Sequence, residues 1–315
     1  MKNILAPLAF TLITAPAMAQ DKMTVMLDWF INPDHGPIIL AQENGYFTDA
    51  GLEVELISPA DPNEPPRMVA AGRVDLAVSY QPELHLAQRE GLDLRRVGTL
   101  IETPLTCLVV RADGPVQEMA DLKGRKVGFA VAGVQEMLLD AMLSNNGVDP
   151  SEVEQINIGW SISPALMSGQ VDGVIGAFRN FELNQMQIEG HEGRCFYPEA
   201  EGVPAYDELI YVAHAEDMDR DMIARFLRAT ERAAADIVND PTASGETFFA
   251  SDAELRNELN TRAWEDTWPR FATRPAAVDH GRYDRFETFM QESGVVETTI
   301  PAADLVVDVT AKAKP

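Results

Sequence analysis

The sequence predicts an α/β protein of two lobes, each built on a mostly parallel β-sheet. Short apolar strand segments alternate with helical segments along two successive stretches of the chain, a pattern typical of βαβ units. The turn Gly-x-Val-Asp recurs at matching places in the two stretches, at Gly72–Asp75 and Gly169–Asp172. A length of 315 residues is enough for two compact domains. We therefore expect one architecture to be present twice.

The first stretch contains three strands and three helices. Its helices end at or next to a glycine, the residue that best accommodates the left-handed backbone after a helix. The predicted strands are Met23–Leu27, Leu52–Ile57 and Val74–Val78, and the predicted helices are Pro37–Asn44, Pro65–Ala71 and Glu83–Arg89.

The second stretch repeats this alternation and leads into a longer helix. Its predicted strands are Leu105–Arg111, Lys126–Phe129, Val153–Ile158 and Val171–Ile175, and its predicted helices are Gln135–Asn145 and Pro164–Ser168. A further strand, Leu209–Ala213, precedes the helix Met218–Asn239, whose apolar residues recur with the helical period. We expect the C-terminal part, which contains Trp264, Trp268 and Tyr283, to pack on the first lobe.

The first residues are typical of a secretory signal peptide. Lys2 precedes a short apolar segment at 4–13, and Ala17-Met18-Ala19 is a small-residue cleavage site. We expect cleavage after Ala19 and export of the mature chain. The apolar segment is too short to span a membrane, and the sequence contains no second apolar stretch of membrane length.

Composition and charge exclude several classes of protein. The net charge of −25 opposes binding to nucleic acid or to anionic lipid. The sequence has no C-x-x-C or H-x-x-x-H motif, so we predict no metal site and no cofactor. Its two cysteines, Cys107 and Cys195, are far apart. Because Cys107 lies in an apolar run, we expect it to be a buried thiol, although the sequence leaves a disulfide open.

Four segments occur in the order found in one family of proteins. They read LDWFINPDHGPIILAQENGYFTDAGLEVEL, MVAAGRVDLAVSY, DLKGRKVGF and DGVIGAFRNFE. Over roughly residues 23–240 the chain resembles the type II periplasmic binding proteins. Within them it is most similar to the thiamine-pyrimidine family, which holds bacterial binding proteins and a fungal pyrimidine synthase. The segments LDWFINPDH and FRNFE are the most specific part of this resemblance.

The resemblance implies two lobes joined by two crossing strands, with the ligand in the cleft between them. We place the crossings near Leu105–Arg111 and Leu209–Ala213, the first lobe at 20–108 and 212–315, and the second lobe at 109–211. It also implies a periplasmic protein, expected to be a monomer, that binds a small heteroaromatic ligand. That ligand would be a thiamine-pyrimidine precursor of the formyl-aminomethyl or hydroxymethyl type, passed to separate ABC permease and ATPase subunits.

Ligands of open α/β sheets bind outside the carboxyl ends of the strands. This rule selects the loops after Leu27, Val78, Phe129 and Ile175. These loops carry rings for stacking and polar groups for hydrogen bonds. The predicted ligand-binding residues are Trp29, Asn32, Asp34, His35, Tyr80, Gln81, Phe178, Asn180 and Glu182. The loop Val131–Glu136 opens a helix, whose free N–H groups could hold a polar or anionic group.

Glu182 is the predicted recognition carboxylate. It lies four residues after Phe178, so the two share one face of a helical turn. A carboxylate beside a ring suits an aminopyrimidine, because it accepts from the exocyclic amine and pairs with a protonated ring nitrogen. In the binding proteins that the chain resembles, the matching positions stack on and hydrogen-bond the pyrimidine. The ring there is usually Tyr, and Phe178 lacks its hydroxyl.

Three other kinds of function are considered for the same fold. The resemblance to the synthase places Ser79 where a lysine would stand, and Gly202–Tyr211 lacks that enzyme's cysteines, so we predict a protein that is not an enzyme. The ligand could instead be a riboflavin-like flavin, an alkylsulfonate or nitrate. A sulfonate site would favour an arginine or an anion-binding loop. A sensory or adhesion module would normally be fused to a membrane segment.

Overall fold

The computed structural model describes residues 19–311. In this range the chain forms two five-stranded sheets against which the helices pack. The predicted signal peptide lies outside the described residues except for Ala19, its last residue. Among the described helices, none is both long and apolar enough to cross a membrane.

The strands and helices follow the predicted alternation. The strands are β1 Asp21–Met26, β2 Leu52–Ile57, β3 Leu76–Tyr80, β4 Leu94–Ile101, β5 Thr106–Arg111, β6 Lys126–Phe129, β7 Glu154–Asn157, β8 Gly173–Phe178, β9 Gly193–Phe196 and β10 Leu209–His214. The helices are α1 Gly36–Glu43, α2 Tyr46–Asp49, α3 Pro65–Ala70, α4 Gln81–Arg89, α5 Val134–Asn145, α6 Ile162–Met167, α7 Glu182–Ile188, α8 Arg220–Asn239, α9 Pro241–Ser251, α10 Glu258–Thr267 and α11 His280–Glu292.

The two sheets have the same strand order and the same strand directions. The first runs β2-β1-β3-β10-β4 and the second β7-β6-β8-β5-β9. In each sheet the first three strands are parallel, the fourth is antiparallel to its neighbours, and the fifth closes the edge. The predicted architecture of two similar α/β lobes is therefore confirmed.

The repeated Gly-x-Val-Asp turn performs the same structural task in both lobes. Each turn begins at a glycine with positive φ, 62° at Gly72 and 76° at Gly169. The aspartate that follows then accepts a backbone hydrogen bond from the neighbouring parallel strand, β1 in the first lobe and β6 in the second. Asp75 accepts a hydrogen bond from the Thr24 N–H at 2.7 Å, and Asp172 accepts one from the Lys126 N–H at 3.1 Å. The recurrence in the sequence thus reflects equivalent positions in the fold.

Each predicted crossing segment is a strand of one sheet only. Strand β5 pairs entirely within the second sheet, and β10 pairs entirely within the first. The chain passes between the sheets just before each of these strands, at residues 102–105 and 197–208. These passages lie a few residues from the expected lobe boundaries at 108 and 212.

The C-terminal part packs on the first lobe, as expected. Helix α8 contacts α1 and α9, and an aspartate N-cap, Asp219, accepts from the Met222 N–H at 3.0 Å. Backbone hydrogen bonds then join the C-terminal chain to β4, from the Arg96 N–H to the Leu305 oxygen and from the Ala272 N–H to the Leu100 oxygen, both at 2.9 Å. Trp264 and Tyr283 are buried in this region.

Cys107 and Cys195 form a disulfide, which corrects the expectation of a buried free thiol. Cys107 lies on β5, and Cys195 lies on β9, where it pairs with Val109. Strand β9 is not evident from the sequence, because it is only four residues long and flanked by polar residues. Without that strand, nothing in the sequence brings the two cysteines together.

Candidate functional site

A cavity lies between the lobes, at the carboxyl ends of β1, β3, β6 and β8. Its position follows the rule for open α/β sheets. The lining residues are Asp28, Trp29, Asn32, Asp34, Tyr80, Val131, Gln135, Ile162, Gly176, Phe178, Phe181 and Glu182.

The loop after β1 is held in shape by its own side chains. The Asn32 side chain accepts from the Asp34 N–H at 2.8 Å and caps a short 3-10 turn, Pro33–His35. Proline at the first position of that turn has no N–H to satisfy. The Asn32 amide also donates to the Phe30 oxygen at 3.0 Å. The loop therefore presents Trp29 and Asp34 to the cavity in a fixed geometry.

Asp28 connects this loop to β3. Its two carboxylate oxygens accept from His35 Nε2 and from the Tyr80 hydroxyl, both at 2.9 Å. The Asn32 N–H points at His35 Nδ1 at 3.3 Å, so Nδ1 is the acceptor and Nε2 carries the proton. Both ring nitrogens of His35 are thus used within the protein, and Asp28 stands at the cavity wall with fixed hydrogen-bond partners.

Glu182 begins α7 and faces the cavity while almost completely buried. One of its oxygens accepts from the Phe178 N–H at 2.6 Å. Burial raises the pKa of Glu182 to about 8, the Phe178 N–H lowers it, and the Asp34 charge adds to the rise. At neutral pH this carboxyl group therefore holds a proton.

Asp34 is the second carboxyl group with a perturbed pKa. Burial raises its pKa to about 6, and a hydrogen bond from Asn180 opposes that rise. The Asn180 amide donates to Asp34 at 2.6 Å and to the Thr267 hydroxyl at 2.6 Å. Since Asn180 belongs to the second lobe and Asp34 to the first, this contact also joins the lobes.

Aromatic rings surround the cavity on both lobes. Tyr80 and Phe178 meet edge to face, with ring centroids 6.3 Å apart and planes at 86°. The Trp29 ring lies 4.1 Å from the ring of Trp160, which comes from the second lobe and is partly exposed. Phe181 lies beside them and contacts Phe30. Flat ligands bury their faces well against such rings.

The structure brings six of the nine predicted ligand-binding residues together at the cavity. These are Trp29, Asn32, Asp34, Tyr80, Phe178 and Glu182. The other three lie outside its wall, and their polar groups bind within the protein. His35 binds Asp28, and Asn180 binds Asp34 and Thr267. The Gln81 oxygen accepts from the Asp207 N–H at 2.8 Å.

Six residues at the cavity were not predicted from the sequence. They are Asp28, Val131, Gln135, Ile162, Gly176 and Phe181. Asp28 and Phe181 stand inside the two most specific motifs, and Gln135 belongs to the loop considered for a polar group. A glycine inside an apolar strand, as at Gly176, often marks a bulge or a close approach, and that pattern could have drawn attention to it.

The loop before α5 uses most of its N–H groups within the protein, which weakens the expectation of an anion site there. Four of these N–H groups have acceptors. Ala130 and Val131 donate to Gln135, Ala132 donates to Asn63, and Gly133 donates to Glu136. Moreover, the described residues that line the cavity include no Lys, Arg or His. The described cavity wall is therefore rich in hydrogen-bond acceptors.

A comparison with known families identifies the chain. Residues 32–244 match the family described as NMT1/THI5 like. The chain belongs to the NMT1/THI5-like family. A Haemophilus influenzae relative, provisionally named a thiamine biosynthesis protein, is 45% identical over 98% of this chain and 100% of its own length.

Other members of the NMT1/THI5-like family have more specific names. The formylaminopyrimidine-binding protein of Halalkalibacterium halodurans is 33% identical over 79% of this chain and 76% of its own length. The 4-amino-5-hydroxymethyl-2-methylpyrimidine phosphate synthase of Schizosaccharomyces pombe is 27% identical over 81% of this chain and 77% of its own length. The family thus includes a named binding protein and a named enzyme.

Solved structures show the fold. The periplasmic aliphatic sulphonate binding protein SsuA of Escherichia coli superposes with a TM-score of 0.71 at 15% identity. The match covers 91% of this chain and 97% of that protein. The chain therefore has the two-lobed periplasmic-binding-protein fold, as the resemblance implied. At this level of identity the match carries no information about the ligand.

Proposed function

We propose that the protein is a periplasmic binding protein that captures a thiamine-pyrimidine precursor and delivers it to an ABC importer. The observation that carries this proposal is the cavity itself. It combines Trp29, Tyr80, Phe178 and Phe181 with three carboxyl groups, Asp28, Asp34 and Glu182. The relative that binds formylaminopyrimidine supports the same ligand class.

Glu182 provides the specific chemistry. An aminopyrimidine has an exocyclic amine next to a weakly basic ring nitrogen. A carboxyl group can accept from the amine and share a proton with the ring nitrogen. Because burial raises the pKa of Glu182 to about 8, the proton needed for this pair is already in the site. Two-point, charge-assisted contacts of this kind are stronger than neutral hydrogen bonds.

The same cavity disfavours a sulfonate or nitrate ligand. An anion would meet three carboxyl groups, while four N–H groups of the loop before α5 already have acceptors. A buried charge that is left unpaired costs on the order of 3–5 kcal/mol.

The proposal includes binding without chemical turnover. Ser79 stands where the synthase that the chain resembles has a lysine, and its hydroxyl donates to Glu83 at 2.7 Å. A Schiff base requires an amine, and this side chain supplies none. Incubation with pyridoxal phosphate should give neither imine absorbance nor a pyrimidine product, and detection of either would favour an enzyme.

Calorimetric titration tests the ligand. The wild type should bind at least one of three compounds, 4-amino-5-hydroxymethyl-2-methylpyrimidine and its aminomethyl and formyl-aminomethyl relatives. Glu182→Gln places an amide donor against the ligand amine, so we expect affinity to fall by about tenfold to a hundredfold, which corresponds to about 1.4–2.8 kcal/mol. Trp29→Ala should weaken binding by a comparable factor.

Glu83→Gln is the matched control for Glu182→Gln. Burial also raises the pKa of Glu83, to about 7, but this residue does not line the cavity. The control should retain wild-type affinity. Riboflavin, an alkylsulfonate and nitrate complete the panel. Binding of one of these with no binding of the pyrimidines would overturn the proposal.

A further inference from the structure

Gln135 has a side-chain orientation that the protein itself determines. Its Oε1 atom accepts two backbone N–H groups, from Ala130 at 2.8 Å and from Val131 at 3.1 Å. Only the oxygen of a carboxamide can accept both of these donors. The nitrogen must therefore occupy the other position of the amide, and rotation of the group would leave two buried N–H groups unsatisfied.

The neighbouring strand is shaped to admit this amide. Gly176 has a φ of 89° at a register shift in the pairing of β5 with β8. A Cβ atom at Gly176 would lie 2.1 Å from Gln135 Nε2 and 2.2 Å from its Cδ. Every other residue type would collide with the carboxamide and would be strained at this backbone angle. The bulge in β8 thus makes room for Gln135 at the cavity wall.

The Nε2 group of Gln135 has no protein acceptor among the described residues, and the residue as a whole is only 7% exposed. Several other polar groups at the cavity are engaged within the protein. The Tyr80 hydroxyl donates to Asp28, and the Asn32 amide donates to Phe30. The Nε2 atom itself is not fully buried, so water can reach it. A ligand that displaces this water must accept from Nε2 or leave the donor unpaired at a cost. Gln135 therefore supplies a fixed, available donor in a wall otherwise rich in acceptors.

We propose that Gln135 is a specificity-determining residue whose Nε2 group donates to an unprotonated ring nitrogen of the bound heterocycle. This inference rests on the proposed function. The carboxyl groups then recognise the donor edge of the ligand and Gln135 recognises an acceptor atom. A pyrimidine has two ring nitrogens, so one can share a proton with Glu182 while the other accepts from Gln135. A pyridine retains only one of these two interactions.

The test compares one tight-binding pyrimidine with its two pyridine analogues, in each of which one ring nitrogen is replaced by C–H. Titrations use the wild type, Gln135→Met and Gln135→Glu. The wild type should bind at least one pyridine analogue about tenfold to a hundredfold more weakly than the pyrimidine. In Gln135→Met the same analogue should bind about as well as the pyrimidine. The ratio of two Kd values within one variant is unaffected by any loss of folded protein.

Gln135→Glu keeps the acceptor for the two backbone N–H groups and removes the amide donor. Measured at a pH where the new carboxyl group is ionised, it should also lose the discrimination. Gln185→Met, on α7 and outside the cavity wall, should discriminate like the wild type. One contrary outcome is that the wild type binds the pyrimidine while both Gln135 variants keep the wild-type ratio of Kd values for the pyridine analogue and the pyrimidine. In that case Gln135 is not the residue that recognises the ring nitrogen, but the proposed ligand class stands. If no pyrimidine binds the wild type, the proposed function fails and the assignment fails with it.

Discussion

Glu182 and Asp34 show how single side chains in the cavity wall link stability to pH. Burial raises the pKa of Glu182 from 4.5 to about 8 and that of Asp34 from 3.8 to about 6. In the unfolded chain these groups lose their protons near the lower values. The folded state binds the protons more tightly, so the stabilisation is complete below about pH 4 and is lost as the pH rises towards 8.

We therefore expect Glu182→Gln to reduce the pH dependence of stability. The neutral amide resembles the protonated acid and has no proton to lose. The free energy of unfolding of the unliganded protein should fall less between about pH 5 and 8 in the variant than in the wild type, by on the order of 1–3 kcal/mol. Urea unfolding at several pH values measures this. Glu189→Gln, at the exposed end of α7, is the control and should show the wild-type pH dependence of stability. If Glu182→Gln also shows the wild-type pH dependence, Glu182 is not its source.

At the scale of elements, the pairing of β5 with β9 determines the state of the two cysteines. The antiparallel register places Cys195 opposite Val109, two residues from Cys107, and the two sulfur atoms are bonded. The bond closes a loop with a sequence separation of 88 residues. A cross-link of this kind restricts the unfolded chain, so it stabilises the second lobe without contacting the cavity.

Replacement of both cysteines by alanine should lower the free energy of unfolding by about 2–4 kcal/mol. Ligand affinity should be unchanged, because neither residue lines the cavity. Chemical unfolding with and without a reducing agent measures the effect. The reducing agent should destabilise the wild type and leave the double variant as it was. Equal stability of the oxidised wild type and the double variant would show that the bond contributes nothing.

At the scale of the whole molecule, direct contacts between the lobes surround the cavity. The Asn63 side chain accepts from the Ala132 N–H at 2.8 Å on one side. On another side, Asn184 on α7 donates to Asp266 on α10, also at 2.8 Å. These contacts exist only when the lobes are close together. They therefore favour the closed arrangement in which a ligand is enclosed, and removal of one should lower the fraction of closed protein.

Asn184→Ala should weaken ligand binding although this residue does not line the cavity. The loss of one hydrogen bond contributes about 0.5–1.5 kcal/mol, so the Kd should rise by about twofold to tenfold. Calorimetry gives the Kd, and small-angle scattering with and without ligand reports closure. Asn146→Ala is the control, because Asn146 donates to Glu201 within the second lobe. If Asn146→Ala raises the Kd as much as Asn184→Ala does, the loss of affinity does not come from impaired closure of the lobes.

Export is a prediction that concerns the whole chain. The residues before Gln20 have the pattern of a cleaved signal peptide. Mass spectrometry of periplasmic material should therefore find a mature chain that begins at Gln20. A mature pool that retains Met1 would contradict both the cleavage and the proposed location.

Local patterns in the sequence determined most of the fold. The alternation of strands and helices, the glycines that end helices, and the repeated Gly-x-Val-Asp turn depend on neighbours in the chain, and these predictions agree with the structure. The rule for strand ends also selected the loops that form the cavity. Short or polar elements such as β9 were missed, because four residues carry too little periodicity to be distinguished from a loop.

Only the tertiary structure decided what each polar side chain in those loops does. The sequence places His35, Gln81 and Asn180 beside the site, but partners distant in the sequence occupy the amides of Gln81 and Asn180, and His35 turns back to Asp28. Gln135 became visible as a donor only once its oxygen was seen to bind two backbone N–H groups. The physical reason is that a hydrogen-bonding group serves either the protein or a ligand, and folding determines which by choosing its neighbours.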